Sequence, residues 1–251
     1  MKKFWILWCR EIALYFRSPA AYVILFFFVL LTGVNFYLVL NAMNRGPGSV
    51  TLVEAFFNNT FFWFGFVLPF PLITMRLFAE EFKLGTIETL MTAPVRDFQV
   101  VAAKYLSAVF FYVILWAPSA LYFAIFQWLT HQSAANAAGS WLGAYAMLML
   151  IGMFYISIGC LASVLTKNQV VAAIMAFAAI SVMFYLGLFN LLFANISPQV
   201  RDLTAYISAI SHMMEYSQGL IDTRPVVFYV SMTALVLYIT FQIFQSRKWR
   251  Q

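Results

Sequence analysis

Residues 71–95, PLITMRLFAEEFKLGTIETLMTAPV, place a cluster of charges between two long apolar blocks. The chain has 251 residues, of which 64% are hydrophobic and only 10% are charged. A soluble domain carries about 25% charged residues, so this chain has too few charges to cover a water-facing surface. Each charge at the centre of a bilayer costs about 2.5–3.5 kcal/mol. The charged stretch therefore lies outside the lipid, and the apolar blocks on either side cross it.

Six apolar stretches are each near or above the roughly 20 residues that a membrane-spanning helix needs. The predicted spans are residues 20–41, 56–75, 103–128, 141–165, 170–194 and 226–245. We therefore predict an all-α membrane protein in which residues 1–251 form a single transmembrane domain with six transmembrane helices.

The distribution of lysine and arginine predicts the orientation. With six spans both termini share one side, and most of the basic residues fall on that side, whereas Arg45, Arg201 and Arg224 fall on the other. The positive-inside rule then places both termini in the cytoplasm. Because the basic residues lie beside spans, the net charge of +6 indicates contact with anionic membrane lipid and not with nucleic acid.

Residues 1–18 have the pattern of an amphipathic helix lying at the membrane interface. Lys3, Arg10 and Arg17 recur every seven residues and share one face. The apolar residues Trp5, Trp8, Ile12, Tyr15 and Phe16 fall roughly opposite. Ser18 and Pro19 are typical of the N-cap and first turn of the helix that follows. A simple basic flank is the alternative interpretation. The residues assigned to this interfacial helix are Lys3, Trp5, Trp8, Arg10 and Arg17.

The charged segment, residues 76–100, is predicted to include a short cytoplasmic helix after the second span. Gly85 suits the end of one helix, and Thr86 can cap the next. In that next helix Ile87, Leu90 and Met91 share one face, which an ATPase groove could accept. A solvated loop fits the charges equally well. The candidate contact residues are Glu80, Glu81, Lys83, Gly85, Thr86, Ile87, Glu88, Leu90 and Met91.

Several kinds of chemistry have no motif in the sequence. No P-loop motif appears, so any ATP that powers the protein binds to another chain. No ionisable residue falls near the middle of a predicted span, which disfavours a proton-driven carrier. His131 and His212 have no nucleophile motif, and Cys9 and Cys160 are predicted to remain unpaired. A copper site built on His212, Met213 and Met214 is incomplete, so we predict no metal site and no cofactor in this chain.

The charged segment resembles the stretch after the second span in membrane subunits of six-span, type-2 ABC exporters. Their pattern is E-E-[KR]-x-x-G-T-x-E-x-L-x-x-x-P-V, followed by a lysine at the start of the third span. The matching residues are Glu80, Glu81, Gly85, Thr86, Glu88, Leu90, Pro94, Val95 and Lys104. Phe82 stands where the family often has a basic residue, with Lys83 next to it.

Two other regions extend the resemblance over nearly the whole chain. The N-terminal helix followed by RSPAAYVI is similar to the family's elbow helix and first span. Residues 212–250 are similar to the gliding-motility and nitrous-oxide-reductase-maturation permeases. The resemblance implies two permease chains, identical or related, each resting on a cytosolic ABC ATPase that binds ATP and Mg. It also implies ATP-driven export across the bacterial inner membrane, with the elbow helix and the helix after span two as the coupling contacts.

Residues 195–225 are predicted to form short re-entrant helices on the outer side between spans five and six. Polar residues Thr32, Asn35 and Asn190 either line a transport path or bridge helices. Two other functions remain open. One is a membrane anchor that transmits force from the ABC ATPase to an outer-side accessory protein without transport. The other is a channel or carrier that works without ATP.

Overall fold

The computed structural model describes residues 2–44, 50–86, 95–130, 138–192 and 198–248. Within these ranges the chain is helical and contains no β-strand. In chain order the helices are α1 (Lys2–Arg17), α2 (Pro19–Met43), α3 (Leu52–Phe57), α4 (Thr60–Val67), α5 (Pro69–Thr74), α6 (Ala79–Leu84), α7 (Asp97–Thr130), α8 (Ala138–Leu165), α9 (Gln169–Leu192), α10 (Pro198–Ile207), α11 (Ala209–Ser217) and α12 (Thr223–Lys248). The predicted all-α class is confirmed.

Six stretches of the described chain are long and apolar enough to cross a bilayer. They are Pro19–Met43, Thr60–Leu84, Asp97–Phe126, Gly139–Leu165, Gln169–Leu188 and Thr223–Arg247. The predicted number of six spans is therefore confirmed. The second span lies later than the predicted residues 56–75, because residues 56 and 57 end the separate helix α3 and the apolar helices continue to Leu84. The third span begins earlier than predicted, because α7 runs without interruption from Asp97 through Lys104 into its apolar part.

Ser18 separates α1 from α2 and is the N-cap residue of α2, with Pro19 in its first turn. These positions agree with the prediction, but the side chain of Ser18 does not cap the helix. Its Oγ instead accepts a hydrogen bond of 2.6 Å from Nη1 of Arg76. The joint between the first two helices is thereby tied to the second span.

The second span is a series of short helices, α4 to α6, with turns at residues 75–78. The break removes helical hydrogen bonds, and a side chain of the fourth span replaces two of them. The backbone N–H groups of Phe78 and Ala79 donate to Oγ of Ser163 at 3.0 and 3.1 Å. This compensation is needed because buried backbone N–H groups rarely go without a partner.

Gly85 ends α6 in a left-handed conformation with φ of 72°. Glycine adopts this conformation without the steric cost that a Cβ atom would bring. The prediction that Gly85 terminates the helix is confirmed.

Spans two and four form the inside of the bundle. In these spans 61% and 67% of the most apolar segment is buried, compared with 33% or less in the other four. Two glycines of α8 allow this packing. A Cβ atom at Gly152 would lie 2.3 Å from the ring of Tyr112, and one at Gly159 would lie 2.1 Å from Oγ1 of Thr74. Small residues of this kind let membrane helices approach closely.

Two short helices, α10 and α11, occupy most of the segment between spans five and six. Ser208 caps α11 by accepting a hydrogen bond from the N–H of Ser211 at 3.2 Å. Helix α11 packs so tightly on α8 that a Cβ atom at Gly143 would lie 2.6 Å from the carbonyl oxygen of Tyr216. The depth of these helices in the membrane stays a prediction.

Candidate functional site

Helix α1 and spans two and three meet at a buried group of ionised side chains. Lys104 of α7 is only 2% exposed. Its Nζ lies 3.0 Å from Oε2 of Glu11 in α1 and 2.9 Å from Oε1 of Glu81 in α6. One ammonium group therefore joins three helices that are far apart in sequence.

Arg10 adds a second cation at the edge of this group. Its Nη2 lies 2.7 Å from Oε1 of Glu11 and 3.4 Å from Oε1 of Glu81. We call Arg10, Glu11, Glu81 and Lys104 the charge junction. The formal charges of its two carboxylates and two cations cancel. That balance matters because removing one partner of a buried pair leaves an uncompensated charge and costs about 3–5 kcal/mol.

The packed face of α1 explains why Glu11 reaches Lys104. Leu7, Glu11 and Tyr15 recur every four residues and therefore lie on one side of the helix. Leu7 and Glu11 are buried, and the hydroxyl of Tyr15 donates to the carbonyl oxygen of Ile73 at 2.9 Å. With the contact of Arg10 to Glu81 and the bond from Arg76 to Ser18, α1 and the residue that follows it make four polar contacts with span two or span three.

The outer surface of α6 and the turn after it present the predicted contact residues unevenly. Lys83, Gly85 and Thr86 are exposed, and Leu84 exposes 66% of its surface. Glu80 is partly exposed. Glu81 points inward to Lys104 and Arg10, so its carboxylate already has partners within the chain. The other four predicted contact residues, Ile87, Glu88, Leu90 and Met91, lie outside the described residues.

The residues assigned to the interfacial helix differ in how exposed their side chains are. Lys3, Arg10 and Arg17 are exposed, as the pattern predicts. Trp5, on the predicted apolar face, is 58% exposed, and its contact with lipid stays a prediction. Trp8 is partly buried and lies edge-on to Phe110, with ring centroids 5.7 Å apart. The side of α1 that packs on the bundle carries Leu7 and Glu11, which are buried. Placement of α1 at a membrane interface stays a prediction.

Comparison with protein-family models identifies what kind of protein carries this junction. The model for the ABC-2 type transporter matches residues 2–222, which include all of the charge junction. The chain belongs to the ABC-2 type transporter family. It is a multi-pass membrane protein and the permease subunit of a transporter, and it is not itself catalytic. Permeases of this family typically work with ATPase subunits. No curated protein matches the chain significantly.

Polar residues toward the end of the bundle opposite the charge junction make contacts within the chain. The hydroxyl of Thr32 donates to the carbonyl oxygen of Phe28 in its own helix at 2.9 Å. Asn35 is 1% exposed; its Nδ2 donates to the carbonyl oxygen of Phe56 at 3.1 Å, and its Oδ1 accepts from Nδ2 of Asn59 at 3.0 Å. These bonds join α2 to α3 and to the start of α4. Asn190 lies in α9. A path lined by Thr32, Asn35 and Asn190 stays a prediction.

The three residues considered for copper do not face one position in the permease. Met213 is fully buried, whereas Met214 is 49% exposed. The Nδ1 atom of His212 lies 3.1 Å from the hydroxyl of Tyr229. Among the described residues, no group of three or more His, Cys, Asp or Glu side chains is arranged to hold a metal ion.

Sequence reasoning missed the role of Glu11 and the burial of Lys104. The sequence contains a pattern that could have indicated each of them. Glu11 is a charge on the face that also carries Leu7 and Tyr15, and Lys104 lies on the face of α7 that carries Ala108 and Phe111, which are buried. A carboxylate on one packed face and an ammonium on another indicate a buried pair.

Proposed function

We propose that the chain is the permease subunit of an ATP-driven export complex in a bacterial inner membrane. Two permease chains, identical or related, surround the path, and separate cytosolic ABC ATPases bind ATP and Mg. The proposal is supported by the family match over residues 2–222 and by the charge junction, which joins α1, span two and span three at one end of the bundle.

The orientation follows from charge. The end of the bundle that carries Arg10, Arg17, Lys83 and Arg96 also carries both termini. Basic flanks of this kind remain in the cytoplasm during insertion. The exposed end of α6 then faces the cytosol, where an ATPase subunit can reach it.

The charge junction supplies a route for force. A push on the exposed residues Lys83 to Thr86 acts on α6, which is held to α7 and α1 through Lys104 and Glu11. Buried ion pairs hold a fixed geometry because separating them exposes charge to a low-dielectric interior. The second span also contains the break at residues 75–78, where α6 can tilt relative to α5. Movement of the ATPase would therefore shift α1, α6 and α7 together.

The experiment is purification of the intact complex from native membranes in detergent, with identification of every protein that co-purifies. We expect an ABC ATPase in stoichiometric amount and ATP hydrolysis by the complex. If no nucleotide-hydrolysing protein co-purifies under conditions that keep the permease folded, the proposal is wrong. Measurement of cargo release on the outer side then separates transport from force transmission.

Lys83→Glu tests the exposed end of α6 as the ATPase contact. Lys83 is exposed and belongs to no ion pair of the charge junction, so we expect the variant to fold normally. Reversing a charge at an interface rim weakens association, so the amount of co-purified ATPase should fall several-fold. The matched control is Lys167→Glu, an exposed residue in the connection between spans four and five. Equal ATPase recovery with both variants would remove α6 from the contact.

A further inference from the structure

A cavity of about 640 Å³ lies between α1, the start of α2 and the second span. Its volume is within the roughly 300–1,000 Å³ of typical ligand sites. The polar end contains side chains of both signs, including Arg17, Arg76, Glu80 and Glu81. The apolar wall is formed by Leu14, Ala20, Ala21, Ile24, Leu72 and Ile73.

Arg76 and Glu81 both line this cavity, and two of their buried polar atoms lack hydrogen-bond partners among the described residues. They are Nε of Arg76, a donor, and Oε2 of Glu81, an acceptor. The guanidinium of Arg76 donates one bond, to the neutral hydroxyl of Ser18, and has no carboxylate partner in the described chain. A buried charged group that lacks part of its hydrogen bonding is costly, so an unfilled valence at such a group favours a bound partner. A ligand that carries both an anionic acceptor and a strong donor would complement these two side chains.

The apolar wall shows where the rest of that ligand lies. Ala20, Ile24 and Leu72 belong to the first and second spans, next to the charged end of the bundle. Leu72 is 43% exposed, so this side of the cavity opens toward the lipid. A water-soluble ion would leave this wall unfilled, and an apolar helix of a second permease chain would leave Arg76 without an acceptor.

We infer that the cavity binds an aminophospholipid, with its phosphate at Arg76 and its primary ammonium at Glu81. One acyl chain lies along Ala20, Ile24 and Leu72. Phosphate accepts bidentate hydrogen bonds from a guanidinium, and an ammonium donates to a carboxylate. The bound lipid fills the space between α1 and span two, and it stabilises the position of α1. This inference concerns a resident lipid and does not depend on the proposed ATPase partner.

The ligand side of the inference is tested with lipids that differ only in the headgroup. The full-length permease is purified, delipidated and incubated with phosphatidylethanolamine or phosphatidylcholine of identical acyl chains, each carrying a photoreactive diazirine in one chain. Cross-linked peptides are then quantified by mass spectrometry. We expect phosphatidylethanolamine to label residues 14–24 and 69–77 about tenfold more strongly than phosphatidylcholine. The choline headgroup has no N–H donor, and the loss of one charge-assisted hydrogen bond weakens binding by about this factor.

The residues that bind the lipid are tested with two variants of the permease. Arg76→Gln removes the proposed phosphate contact, and Arg96→Gln is the control at the same end of the bundle. Arg96 is exposed and does not line the cavity. Labelling of the cavity peptides should fall about tenfold in Arg76→Gln and remain unchanged in Arg96→Gln. If Arg76→Gln does not fold, Ala20→Trp fills the apolar wall without removing a charge and should abolish the same labelling.

Three results would overturn the inference. The first is equal labelling of the cavity peptides by the two lipids. The second is competition by inorganic phosphate at the concentration at which unlabelled phosphatidylethanolamine competes, since this would indicate a free anion site. The third is undiminished labelling in a folded Arg76→Gln or Ala20→Trp protein.

Discussion

Lys104 is a buried ammonium group that depends on two carboxylates from other helices. Its Nζ contacts Glu11 and Glu81 at 3.0 and 2.9 Å and lies 5.6 Å from the ring centroid of Phe78. Desolvating one lysine and two carboxylates is expensive, and the mutual attraction repays this cost only while all partners are present. The three side chains therefore act as a unit, and the loss of one affects the other two.

We expect Lys104→Met to destabilise the permease by about 3–5 kcal/mol, because Glu11 and Glu81 then face each other with less compensation. Thermal unfolding in detergent measures the loss. Lys83→Met, at an exposed position of α6, is the control and should unfold like the natural chain.

A triple variant, Glu11→Gln with Glu81→Gln and Lys104→Met, should recover much of that stability since it buries no net charge. If Lys104→Met unfolded within about 0.5 kcal/mol of Lys83→Met, the usual range for surface changes, the charge junction would not be a stabilising unit.

His212 predicts a dependence of stability on pH. Burial lowers its pKa from 6.5 to about 4, although Asp222 opposes the shift. The unfolded chain then takes up a proton at a higher pH than the folded chain. The stability that His212 contributes is complete above pH 6.5 and is lost progressively as the pH falls from about 6.5 to about 4. The melting temperature should decrease over this window.

The variant His212→Gln isolates this contribution. Glutamine can still bond to the hydroxyl of Tyr229 but does not titrate. Its melting temperature should depend less steeply on pH between 4 and 6.5 than that of the natural chain, while other titrating groups affect both proteins equally. Identical slopes would show that His212 accepts a proton in the folded state.

Packing between spans two and four depends on glycines at points of close contact. Gly159 of α8 lies against Thr74 just before the break in span two, and Ser163 one turn later supplies the hydrogen bonds that bridge this break. The position of α6, and hence of Glu81, follows from these contacts. Span four thus holds the charged end of span two in position.

We expect Gly159→Ala to destabilise the permease by about 1–3 kcal/mol, since the new methyl group would lie 2.1 Å from Oγ1 of Thr74 and the spans would have to separate. Gly139→Ala is the matched control in the same helix, because no atom lies within 4 Å of its Cβ position. Folded yield and melting temperature in detergent measure both. A Gly159→Ala protein as stable as Gly139→Ala would mean that spans two and four pack less closely than the structure shows.

Local sequence patterns predicted most of the helices. Runs of apolar residues located all six spans, and Gly85 located the end of α6, because both signals depend on neighbouring residues alone. The charge junction could not be predicted in this way. Glu11 and Lys104 are 93 residues apart, and their contact requires the packing of α1 against α7. For the same reason the sequence placed Ser18 correctly as the N-cap residue of α2 but did not predict that its side chain binds Arg76 instead of capping the helix.

The helix bundle of the permease has two ends that carry different kinds of residues. The end with both termini carries the charge junction, the lipid-sized cavity and the exposed tip of α6. The opposite end carries the amide network of Asn35 and Asn59 and the packed helices α10 and α11. In the proposed function, force applied at the first end would reach the second through spans two and three.

The central claim is tested by finding on which side of the membrane the tip of α6 lies, since the proposed coupling requires the cytoplasmic side. Thr86 is exposed at that tip. A single cysteine is introduced there as Thr86→Cys, with Cys9 and Cys160 replaced by serine, and is treated with a membrane-impermeant maleimide. We expect labelling in inverted inner-membrane vesicles and none in intact cells with a permeabilised outer membrane. Labelling in those cells but not in inverted vesicles would place the tip of α6 outside the reach of any cytosolic ATPase and would contradict the proposed coupling.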